Sequence, residues 1–180
     1  LVCFKFRDDT TDSQKQALVR GFAELQAKIP FIRDFEWGLN SSPEGKDHGF
    51  THCFTLTFSS EADRDAYLPH PAHVEFGRLC GPVEDVFVFD YWALDERWMA
   101  APPRRGALRH MVAYSFAPDT PEQERLTRVG GFAELEHEIA TIRSYEWGQN
   151  NSTEGKGHGF THLFCLTFDS EADRDAYLPH

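Results

Sequence analysis

The chain has 180 residues, enough for one ordinary domain or two small ones with a real hydrophobic core. Hydrophobic residues make up 41% and charged residues 26%, which excludes a disordered or collagen-like chain, and no apolar run approaches the roughly 20 residues that span a bilayer. Eighteen basic against 29 acidic side chains leave a net charge of −11, and the one basic pair, Arg104-Arg105, lies in a proline-rich stretch, so nucleic acid and membrane surfaces are set aside as partners.

Residues 1–6 are apolar and aromatic and predict a first strand. Thr11 or Asp12 can cap a helix, and Leu18, Phe22, Leu25 and Ile29 follow at the spacing of one apolar helical face that ends at Pro30. Residues 31–40 read as a second strand, followed by a polar loop. Residues 50–58 alternate strictly: Phe50, His52, Phe54, Leu56 and Phe58 share one face of a third strand. Ser60 caps a helix over residues 61–68, and Pro71 opens a second short one over residues 72–79. Residues 83–92 carry apolar side chains on both faces and predict a fourth strand covered on both sides. The order β-α-β-β-α-β is that of an α+β, ferredoxin-like unit.

The same pattern then recurs. EADRDAYLPH, GFTH and GFAEL each occur twice at an offset of 110 residues, and residues 1–70 match residues 111–180 without a gap at 41 of 70 positions. The expected organisation is copy one over residues 1–92, a linker over 93–109, and copy two over 110–180. Copy two lacks a counterpart to residues 71–92, so the natural chain is expected to be longer by at least 22 residues. A sheet with helices on one face leaves its other face bare, so the sheets are expected to pair into an α/β barrel. That pairing is open between the two copies and a second chain, that is, a homo-oligomer. A 17-residue linker reaches about 55 Å when extended, enough for the first alternative.

Nine histidines are the sharpest polar feature. His52 lies on the phenylalanine face of strand three, where a buried imidazole bonded to backbone is the plain reading. Tyr67, His70 and His73 are spaced three apart across a proline-broken helix junction and can project towards one locality. Folded back onto strand three, that locality would meet His52. Imidazoles titrate near neutral pH and serve as acid or base, and a tyrosine hydroxyl can bond a developing enolate. The competing reading of H-x-x-H is a metal site with His52 as third ligand. The run over residues 61–65 reads as a solvated helix face. Four cysteines without a C-x-x-C pattern point to a reducing compartment, and no signal peptide is present, so a cytoplasmic location is expected.

The strings Gly49-Phe50-Thr51-His52, Trp37-Gly38 and above all Tyr67-Leu68-Pro69-His70-Pro71-Ala72-His73 resemble the stress-responsive dimeric α/β-barrel (Dabb) family, across all of copy one and copy two from His110. Some members are enzymes, among them a plant polyketide cyclase and a fern hydroxynitrile lyase. The resemblance implies His73 as base, Tyr67 as its hydroxyl partner and His52 in the same pocket. His70, Phe54 and Phe22, with His110, His162 and Tyr177 in copy two, are expected to bind a small, largely hydrophobic carbonyl compound. No cofactor and no metal ligand is expected. The alternatives to cyclase or lyase chemistry are a non-catalytic barrel protein and a metal-binding variant.

Overall fold

Thr11 accepts from the Gln14 backbone N–H at 3.3 Å, and the Gln14 side chain accepts from the Thr11 backbone N–H at 2.8 Å. This capping box starts α1 (Asp12–Lys28). Its apolar line, Leu18, Phe22, Leu25 and the capping residue Ile29, is wholly buried against the sheet. The computed structural model describes residues 1–93 and 106–180 in this way; residues 94–105, most of the expected linker, lie outside them. The chain divides into two compact units, Leu1–Val88 and Phe89–His180.

The first unit holds β1 (Val2–Phe6), α1, β2 (Asp34–Leu39), β3 (His52–Thr57), α2 (Glu61–Tyr67), α3 (Pro71–Phe76), a 3₁₀ turn at Gly77–Cys80, and β4 (Val83–Val88). Its sheet runs β2-β3-β1-β4 with every neighbour antiparallel, the ferredoxin-like order. Val2 pairs with Phe54 and Phe4 with His52, so Val2, Phe4, Phe6, His52, Phe54 and Leu56 share the face that α1 covers. Cys3, Lys5, Cys53 and Thr55 point to the other.

The second unit repeats the order with β5 (Leu108–Tyr114), α4 (Glu122–Glu138), β6 (Ser144–Gln149), β7 (His162–Phe168) and α5 (Glu171–Tyr177) in a sheet β5-β7-β6. Its strand β5 starts at Leu108, two residues inside the stretch expected to be linker. Both units are α+β and ferredoxin-like.

Three sequence expectations need correction. The second strand is shorter than residues 31–40, because Ile32 turns back to bond the Ile29 carbonyl before pairing begins at Asp34. The fourth strand stops at Val88, where its pairing with β1 ends, and Phe89 onwards belongs to the second unit. There the Tyr91 hydroxyl donates to Glu146 at 2.7 Å and the Asn151 backbone N–H donates to the Asp90 carbonyl. Residues 61–65 are not fully solvated either. Arg64 and its counterpart Arg174 are only 7% and 4% exposed, each paired with the next aspartate.

Candidate functional site

Two backbone features bring Tyr67 and His73 together. Ser60 accepts from the Asp63 N–H and starts α2, which ends on Tyr67. His70 then caps α3, its Nδ1 accepting from the Ala72 N–H at 3.2 Å, with Pro71 at the first helical position. The turn between the helices folds His73 back over Tyr67, with ring centroids 4.3 Å apart and planes inclined by 33°.

The tautomer of His73 follows from its partner. Its Nδ1 lies 2.9 Å from the Leu68 carbonyl oxygen, which can only accept. The proton therefore sits on Nδ1, and in the neutral ring Nε2 carries the free lone pair of a general base. His70 has the opposite arrangement: Nδ1 is an acceptor, so its neutral ring carries the proton on Nε2. Sequence reading missed the Leu68 carbonyl that fixes the His73 tautomer, because nothing in the residue type of position 68 marks its backbone. Phe76, also missed, stands 6.5 Å from His73 on one side and stacks on Phe22 at 4.7 Å on the other.

The structure does not bring His52 to this pair. Tyr67 meets Phe58, the residue after β3, at 5.2 Å. His52 lies six residues earlier on the same face, about 20 Å along the strand at ~3.3 Å per residue. Its ring sits edge-on to Phe6 at 5.0 Å, with Thr51 Oγ1 2.9 Å from Nδ1. Burial, and then the charge of Lys15, hold its pKa below the usual imidazole value. The three-histidine metal reading loses its third ligand by the same separation. Among the described residues no three His, Cys, Asp or Glu side chains converge on one point.

Phe22 and Phe54 are 1% and 0% exposed and lie 4.5 Å apart in the packed core, with Phe76 standing between Phe22 and His73. Copy two repeats the arrangement at its other positions. His162 sits edge-on to Phe116 at 4.9 Å with Thr161 Oγ1 at 2.9 Å, and burial, then Arg125, lower its pKa. Tyr177 meets Phe168 at 5.4 Å, and a different histidine, the buried His110 of β5, edge-on at 5.6 Å.

The stress responsive A/B barrel domain model matches residues 1–93 and 108–180. Olivetolic acid cyclase of Cannabis sativa is 35% identical over 92 residues, covering 51% of this chain and 91% of that protein. Hydroxynitrile lyase from Passiflora edulis is 25% identical over 47% of this chain and 82% of its own, with a TM-score of 0.45. A putative monooxygenase from Lactobacillus acidophilus shares only the fold, at 7% identity and a TM-score of 0.57 over 99% of this chain and 80% of its own. With the family model covering nearly all of both copies, the chain belongs to the stress responsive A/B barrel domain family.

Proposed function

We propose that copy one binds a small, largely hydrophobic carbonyl compound and that His73 and Tyr67 perform acid–base chemistry on it, of the polyketide cyclase or lyase type. The observation that carries this reading is the Tyr67–His73 ring pair with Nδ1 of His73 committed to the Leu68 carbonyl. His73 Nε2 removes a proton alpha to the substrate carbonyl, and the Tyr67 O–H donates to the oxygen on which negative charge develops. In an intramolecular aldol closure the new carbon–carbon bond leaves an alkoxide, and the proton held on His73 returns to it. His70, three residues from both Tyr67 and His73, offers its Nε2–H as a further donor to the substrate. The similarity to the cyclase supports the reading at the level of reaction class.

A non-catalytic barrel protein is the second reading, and the complete burial of Phe22 and Phe54 favours it, since rings without exposed surface offer a ligand no wall. Incubation with a linear polyketo-acyl thioester, read by mass spectrometry of the cyclised product, separates the two. Turnover by the wild type and its loss in His73→Ala is the expected result. Absence of turnover, with equal binding of aromatic carbonyl ligands to both proteins, abandons the catalytic reading.

We also propose that the sheets pair into a barrel, between the copies or with a second chain, and that the protein works in the cytoplasm. A sedimentation mass of one chain at micromolar concentration argues for pairing within the chain and against the homo-oligomer. No helix among the described residues is long and apolar enough to cross a membrane.

A further inference from the structure

Cys3 and Cys53 occupy directly opposed positions on neighbouring antiparallel strands, on the sheet face that α1 does not cover. Opposed residues in such a pair have Cα atoms about 4.5–5.5 Å apart with side chains pointing the same way. Those values fall inside the range that a disulfide spans without backbone movement. Both residues are half-buried, and neither is in a disulfide. Copy two has the same register with Ala113 opposite Leu163, so the aligned pair is not a requirement of the fold. Cys165 faces Met111 and Glu146 across its own strands, and no cysteine stands opposite it.

We propose that Cys3 and Cys53 are a reversible redox site that closes to a cross-strand disulfide by exchange with a low-molecular-weight disulfide. The interaction between the two thiols holds Cys3 below the ordinary thiol value despite its burial. The same interaction, together with burial, pushes Cys53 well above it. Cys3 is therefore the thiolate-forming partner, and thiolate is the nucleophile in exchange. It attacks one sulfur of the oxidant RSSR and expels RS⁻, leaving Cys3–S–S–R. Cys53 then gives up its proton to water and attacks the Cys3 sulfur, expelling the second RS⁻. The balance is two protein thiols and one RSSR to one protein disulfide and two RSH. The bond pins β1 to β3 beside Phe4 and Phe54, whose rings pack 5.3 Å apart in the core. In a reducing compartment the pair rests as a dithiol, and the site closes only when the small-disulfide fraction rises.

The full chain is incubated with oxidised glutathione at pH 8, freed of oxidant, and its thiols counted in guanidinium. The expected count falls from four to two, with a non-reducing digest showing the Cys3 and Cys53 peptides joined and a reductant restoring all four. Cys53→Ser should stop at one glutathione on Cys3, whereas Cys3→Ser should leave Cys53 unmodified over the same time. The wild-type digest does not depend on either variant folding. Four persistent thiols, or glutathione adducts without the joined peptide, overturn the proposal. Attack beginning at Cys53 overturns the assigned order.

Discussion

The ring of Tyr67 lies 4.3 Å from His73, whereas the ring of Tyr177 lies 5.6 Å from His110 and meets it edge-on. The ten residues around the two tyrosines are identical, and both rings rest on the matching phenylalanine, Phe58 or Phe168. What differs is the element that supplies the imidazole. In copy one it is a partly exposed residue of α3 whose tautomer a backbone carbonyl fixes. In copy two it is a buried residue of β5 in register with Leu166. The two tyrosines thus share their local sequence and their phenylalanine but face different imidazoles.

The largest effect expected from that contrast is kinetic. If copy one holds the working base, His73→Ala lowers turnover by about 10²–10⁴-fold, and Tyr67→Phe by about 10²–10³-fold if its hydroxyl bonds the oxyanion. His110→Ala and Tyr177→Phe should leave turnover within a few-fold of wild type. Equal losses in both copies, measured on the same substrate, would erase the distinction.

A second contrast lies on the opposite sheet face. All seven residues of β7 are buried, whereas β3 is buried fully only at Phe54. In the second unit Tyr91 and Trp92 approach so closely that a Cβ at Gly148 would stand 2.5 Å from Tyr91 Cβ and 2.7 Å from the Trp92 carbonyl oxygen. Gly38, its counterpart, has open space around it. Gly148→Ala should therefore destabilise the fold by about 1–3 kcal/mol, while Gly38→Ala should be neutral or gain up to ~1 kcal/mol from the reduced entropy of the unfolded chain. Denaturant midpoints of the two variants check this, and a tolerated alanine at 148 would show that Tyr91 is free to move aside.

The helix starts give a smaller difference. Thr11 caps α1 with its side chain, but Pro121 at the matching place makes no side-chain cap to α4. Thr11→Ala should cost about 0.5–1 kcal/mol, measurable as a shift in urea midpoint. A cost below ~0.2 kcal/mol would mean that Gln14 alone holds the helix start.

Much of this contrast was legible beforehand because it is local. The caps at Thr11 and Ser60, the alternation through Phe54 and the helical spacing of Leu18, Phe22 and Leu25 each act over one or two turns, so their residue types declare them. The meeting of Tyr67 with His73 was readable for the same reason, being carried by six residues of chain. The parting of His52 from that pair was not, since it depends on which end of β3 the α2–α3 turn returns to. Nor was the fate of Phe89 to Trp92. Alternating apolar residues on both faces describe a covered strand and equally a segment leaving its sheet to cover another. Arg64 and Arg174 misled for a related reason: a guanidinium paired with its neighbouring aspartate can be buried on a helix whose composition reads as solvated.

The smallest effect tests a feature the copies share. His52 and His162 each sit edge-on to a phenylalanine with a helix cation nearby, Lys15 or Arg125, and each has a folded pKa below its usual value, through burial first and that cation second. The unfolded chain then binds the proton more readily than the folded one, so stability is complete above about pH 6.5 and declines as pH falls below the unfolded imidazole value. Urea midpoints should drop between pH 7.5 and pH 5.5, a range above the usual carboxylate titrations. His52→Asn and His162→Asn should each remove a share of that drop, because both imidazoles have the phenylalanine edge, the helix cation and the hydroxyl, with Trp147 stacked on His162 in addition. A drop removed wholly by one substitution would show that the duplicated geometry hides unequal solvation. A midpoint that rises towards pH 5.5 would reverse the sign argued for both.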